Sequence, residues 1–297
     1  MLFGVPRFLH LQATGCRQMS QEKKSSKNRA KICLSCNGQQ CPVSLAAFRA
    51  ISNSIRLKPP TEKLLFLDEF DKKAVLEFLP QFIECRRLSG RVSFAQMADL
   101  LQICSCFEVP TLTKLLEQEI LEQAGKSTKN LVQALLIVEK TVLDCQEKLL
   151  ELATTQFIAL SRTTSFQLIP PGQFMLIITK CSLDVDNELE LVDAALFWLC
   201  GQPMKDQLAT VIFSLIRTSS LDSASYVRIL QRVMELNFSE KTRRFISAIL
   251  TSTCAARICS HPFTAGHRCC TDDPIPLGQE MHLSQPKDDV WLKTRNT

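Results

Sequence analysis

The chain has 297 residues, 45% of them apolar and 22% charged, an average globular composition that excludes wholesale disorder. Its 14 cysteines fall below the density of a disulfide-stapled secreted scaffold, and no apolar stretch approaches the ~20 residues that span a bilayer. The whole net charge of +5 sits in residues 17–31, where Arg17, Lys23, Lys24, Lys27, Arg29 and Lys31 oppose Glu22 alone.

Residues 1–29 therefore read as a basic, flexible leader ahead of an electrically balanced body. A nuclear address or a phosphate-binding arm are the sharper alternatives. A balanced body argues against a specific nucleic-acid surface, and no membrane partner is expected. The opening sixteen residues lack a charged region followed by a clean apolar run, so no secretory signal is read, a mitochondrial leader being the alternative. The thiols are then expected to be reduced, in the cytoplasm or the nucleus.

Two absences argue against an enzyme. The four histidines are His10, His261, His267 and His282, so a Ser–His or Cys–His nucleophile in the body lacks its base. The nine glycines are all at least eleven residues apart, which forbids both a GxGxxG fingerprint and a P-loop. No cofactor is expected.

In chain order, Ile32 to Cys36 alternates and meets Asn37-Gly38, the two positive-φ positions of a hairpin turn. Leu45, Phe48, Ile51 and Ile55 predict one short helix over 44–55. After Pro59-Pro60, residues 64–67 predict a buried strand. Val75, Leu76, Leu79 and Phe82 predict a helix over 71–83, which Pro80 must kink or shift.

Phe94, Met97, Leu101 and Cys104 mark the clearest helix, over 93–107, with Leu100 and Phe107 widening the stripe. Another follows Pro110 with Leu112, Leu115, Leu116 and Ile120, ending near Gly125. Beyond that point every pattern is helical. Ser127 or Thr128 caps a helix with Leu131, Leu135, Val138 and Val142 inward. Leu149, Leu152, Ala153 and Phe157 mark the next. Pro170-Pro171-Gly172 breaks the chain, and helical periods return at 188–199, 206–216, 223–236 and 241–250. Residues 251–297 lose periodicity and read as a disordered tail.

At this point several residues resemble the BTB–BACK portion of the Kelch-like proteins. Leu183-Asp184-Val185-Asp186-Asn187-Glu188, with Leu191, Val192, Ala194 and Trp198, is similar to the BACK signature L-N-V-x-x-E-x-x-V-F-x-A-x-x-x-W. Ile216-Arg217 with Leu221 is similar to its later V-R-x-x-x-L. Leu100-Leu101, Val109-Pro110 and Leu112 follow a BTB pattern, and Phe82-Ile83 stands where the family writes F-I-Y-T-G. The resemblance implies an α+β BTB domain over 30–125, followed by an all-α BACK domain over 126–250, mainly helical overall.

The resemblance also implies partners. Kelch-like proteins are adaptors of cullin-3 ubiquitin ligases, and a cullin helix enters a groove shared by the BTB helices and the first BACK helix. Glu84, in place of the groove tyrosine, with Leu131, Leu135 and Val138, are the candidate groove residues. Segment 55–63 is shorter than the family loop carrying a hydrophobic-x-Glu motif, so weakened cullin-3 binding is expected. The family's dimer pocket uses an Asp and a basic residue, and the matching positions here read Lys31, Ser44 and Leu45, beside Cys41 and Val43. A Lys replacing a buried acid needs a new partner. The alternative function is a scaffold pairing with other BTB proteins, as homo- or heterodimer, without a cullin and possibly in the nucleus.

With no Gly-Gly pair, one Tyr and two Trp, the chain is expected to lack the family's propeller, either natively or as a truncated product. Cys33 and Cys36 point to opposite faces if they lie on a strand, so they read as small hydrophobes rather than zinc ligands. Cys254, Cys259, His261, His267, Cys269 and Cys270 offer enough ligands for a metal, but their spacing fits no standard finger. Trp198 reads as a core residue rather than a partner anchor.

Overall fold

A computed structural model describes residues 30–251, apart from Pro59, Glu62 and 218–220. The expected leader, and the tail with its Cys/His cluster, lie outside the described residues, except that Thr251 closes the last helix.

The hairpin forms as its turn residues require. Strand β1 (Lys31–Cys36) pairs antiparallel with β2 (Gln39–Ser44), with Lys31 opposite Ser44 and Cys36 opposite Gln39. Asn37 and Gly38 take φ of 50° and 77°, which a residue with a larger side chain adopts only with strain. Strand β3 (Leu64–Phe66) adds parallel to the other edge of β1, giving the order β2-β1-β3. It is not the buried strand expected: Leu64 and Leu65 are half-covered and Phe66 is exposed, because an edge strand packs only one face.

The single helix expected over 44–55 is two helices, α1 (Leu45–Arg49) and α2 (Asn53–Leu57). Ser52 breaks it with extended backbone, and its hydroxyl accepts the Ile55 N–H at 3.0 Å while donating to the Phe107 carbonyl at 2.5 Å. The helix around Pro80 is adjusted, as a proline inside its pattern requires. A π-helical turn (Ala74–Phe78) precedes α3 (Leu79–Cys85), and the Leu79 N–H reaches the Ala74 carbonyl. That wider turn sets Pro80 in the first turn of α3, where its missing N–H costs least.

Helix α4 (Phe94–Phe107) opens on a capping box between Ser93 and Gln96, and α5 (Pro110–Ala124) opens on its proline. Met97, Leu101 and Cys104 are buried as expected, but Leu115 is exposed. Helix α6 (Thr128–Val138) starts at Ser127, whose side chain accepts the Asn130 N–H. It stops at Val138, so Val142 lies beyond the periodic stretch and is 97% exposed rather than inward.

The remaining elements are α7 (Gln146–Thr155), α8 (Phe157–Ser161), a 3-10 turn (Thr164–Leu168), α9 (Pro171–Thr179), α10 (Glu188–Cys200), α11 (Lys205–Leu215), α12 (Ser223–Glu235) and α13 (Glu240–Thr251). A small mixed sheet with helices thus leads into a helical array, and the protein is mainly helical. One continuous apolar core joins Leu34 and Phe48 of the first part to Trp198 and Phe213 of the second. The turn at Gly125 between α5 and α6 does not divide it, because those two helices pack on each other. No described helix is long and apolar enough to cross a membrane.

Candidate functional site

Three of the candidate dimer residues meet at the end of the hairpin. Lys31 and Ser44 face each other across β1 and β2, and the Leu45 N–H donates to the Ala30 carbonyl at 2.9 Å. The Ser44 hydroxyl caps α1 by accepting the Ala47 N–H at 3.2 Å. Its backbone N–H, left over at the strand end, donates to Glu84 Oε1 at 2.6 Å. Glu84 therefore belongs to this patch, brought there by α3, which packs on β2 and α1.

Arg86 completes the patch and gave no signal in the sequence. It takes a left-handed φ of 58° after α3, and its guanidinium donates to the Ile83 and Ala47 carbonyls at 2.8 Å each. Glu84 and Arg86 thus hold the start of α1 from two sides. Lys31 and Glu84 are exposed, while Ser44 and Leu45 are half-covered. Lys31 therefore carries no burial cost in the single chain, so the partner it was expected to need is not required there. Burial, then the nearby Cys33 and Glu84, pushes the Cys41 thiol above its ordinary value.

The other three candidate groove residues lie elsewhere. Leu131 and Leu135 are fully enclosed and Val138 nearly so, in the layer that α6 forms with α4, α5 and α7. Their side chains fill the interior, so the structure does not join them with Glu84 into an open groove.

The signature residues of the second half act on the frame. Asn187 caps α10 by accepting the Glu190 N–H at 2.9 Å. Glu188 is buried, and its carboxylate accepts the Arg217 N–H at 2.7 Å, which ties the two signature segments together across 29 residues. Trp198 is fully buried. Its ring stacks on Phe174 with centroids 4.2 Å apart, and its indole N–H donates to the Ile169 carbonyl at 2.9 Å. Residues 140–231 match the BACK family model, BTB And C-terminal Kelch. That match spans α7 through most of α12 and supports the Kelch-like resemblance for this part of the chain. BACK domains are adaptor-type rather than enzymatic. No curated protein matches the chain.

Two features at the edges of the matched segment had no sequence signal. Glu139, at the end of α6, sets its carboxylate against the start of α9 and accepts the Gln173 side-chain N–H at 2.9 Å. A Cβ on Gly172 would meet that carboxylate at 3.0 Å, so the glycine leaves room for it. A positive helix end and an acid are well matched there. The second feature is a groove of about 330 Å³ between α12 and α13, lined by Leu230, Val233, Met234, Arg243 and Arg244 among others.

Among the described residues no group of three or more His, Cys, Asp or Glu is placed to hold a metal. Cys36 is buried with its thiol 3.6 Å from the Phe70 carbonyl, whereas Cys33 is only half-covered.

Proposed function

We propose that this chain is a protein-interaction adaptor of the cullin-3 ubiquitin-ligase type, with a weakened hold on the cullin. The observation that carries the reading is the BACK match over 140–231, on a helical array whose core is continuous with the preceding α+β part. The weakening is argued from Glu84. A buried aromatic anchor is worth ~2 kcal/mol or more at an interface, so its absence alone weakens binding about thirtyfold. A carboxylate in its place adds a desolvation cost unless a cation of the partner meets it. Calorimetric titration of a cullin-3 N-terminal domain into the full chain tests this. Weak or unmeasurable binding is expected, with partial recovery in Glu84→Tyr; tight binding by the wild type that Glu84→Tyr leaves unchanged overturns the groove assignment.

A second reading, pairing with another BTB chain or a second copy, is favoured by the exposed, oppositely charged Lys31 and Glu84 on one patch. A two-fold interface sets each residue against its counterpart's complement. On this reading Lys31→Glu sediments as a monomer, and mixing it with Glu84→Lys restores the dimer. A wild type that sediments only as a monomer at micromolar concentration excludes it.

A further inference from the structure

The last helical pair leaves an apolar face with a cationic rim. Leu230 and Val233 of α12 floor the groove, and Met234 beside them is 59% exposed. Arg243 crosses from α13, with Nη1 3.5 Å from the Met234 sulfur. Arg243 and Arg244 share a single carboxylate, that of Glu240, at 3.4 and 2.9 Å. With Lys241 next to them, residues 240–244 hold three cations and one acid. The groove thus offers two guanidinium groups of incomplete compensation beside open apolar surface.

The chain that follows α13 carries the complement. Between Arg268 and Lys287 there is no Lys or Arg, while Asp272, Asp273 and Glu280 supply three negative charges. The acidic pair runs directly into Pro274-Ile275-Pro276-Leu277. Each proline biases the residue before it to extended backbone, which lowers the entropy lost when such a segment lies along a groove.

We propose that the groove between α12 and α13 is the docking site of the chain's own segment 272–277. Asp272 and Asp273 meet Arg243 and Arg244, while Ile275 and Leu277 cover Leu230 and Met234. The connection allows it. Arg244 lies about 10 Å back along α13 from Thr251, at the rise of a helix. Twenty residues separate Thr251 from Asp272, and a chain of that length reaches up to ~70 Å, far more than the distance to be covered. Tethering at that range keeps the segment at an effective concentration of about a millimolar, so a weak site is occupied. An external ligand of the same acidic, proline-containing chemistry must then displace the segment to bind.

Hydrogen exchange on the full chain tests the assignment by charge reversal. Asp272→Lys with Asp273→Lys should speed amide exchange in α12 and in residues 240–247 about tenfold, the change that follows from losing ~1.4 kcal/mol of docking. Arg243→Glu with Arg244→Glu should do the same, and combining all four substitutions should return exchange toward the wild-type rate. That return distinguishes docking from local damage to α13. Three outcomes overturn the proposal: exchange unchanged by the aspartate pair, no recovery in the combined variant, or protection that rises with protein concentration, which would make the occupant a second copy.

Discussion

Trp198 shows how one residue ties two helices and the segment that leads into one of them. Its ring lies in α10, stacks on Phe174 of α9 and donates to the Ile169 carbonyl just ahead of α9. Trp198→Ala removes the stack, the hydrogen bond and the volume together, and is expected to cost about 3–5 kcal/mol in a denaturant melt. Wild-type stability in that variant would remove Trp198 from the core. Thiols at the same scale make a pH prediction. Burial pushes Cys104 up to about 12, only partly opposed by a hydrogen bond from Thr113, and pushes Cys145 up to about 11. An unfolded thiol ionises near 9.0, so above that pH the folded chain holds protons that the unfolded chain has released. Stability is expected to fall as pH rises from about 9 toward 12, and to fall less steeply in Cys104→Ala. Equal slopes for the two proteins would show that Cys104 ionises alike in both states.

The elements divide by whether their cause is local. The hairpin was legible because Asn37-Gly38 alone supplies both positive-φ positions. Helices α4, α10, α12 and α13 were legible because apolar spacing and a cap occur within one segment. The break at Ser52 was not, since Leu45, Phe48, Ile51 and Ile55 keep a helical period straight across it. Its cause is the Phe107 carbonyl at the end of α4, 55 residues away. For the same reason Glu84, one residue past the helix expected over 71–83, could not be placed against Ser44, forty residues earlier. The Ser52 hydroxyl serves an N–H at the start of α2 and an orphan carbonyl at the end of α4. Ser52→Ala therefore takes the partner from a buried N–H and a part-buried carbonyl, and is expected to cost about 2 kcal/mol by chemical denaturation. A loss under a few tenths would mean that the two helix ends find other partners.

Across the whole molecule, α6 decides whether the two parts unfold together. Leu131 and Leu135 are fully buried, and α6 packs on α4 and α5 of the first part and on α7 of the second. The turn between α5 and α6 is further tied by the Asn130 side chain donating to the Gln123 carbonyl at 2.9 Å, and the Asp144 N–H donates to Glu117 of α5 at 2.9 Å. Apolar contacts on both flanks of one helix couple the stabilities of what they join, because loosening either side opens the shared layer to water. Leu135→Ala, made in a Trp291→Phe chain, should then cost about 2–5 kcal/mol and shift one cooperative transition seen alike by Trp198 fluorescence in the BACK region and by amide exchange in β1. Two transitions, with the variant lowering only the one reported by Trp198, would show instead that the α5–α6 turn separates independent folding units. In that case α6 would belong energetically to the BACK helices alone, and a partner helix able to pry it from α4 and α5 would meet much less resistance.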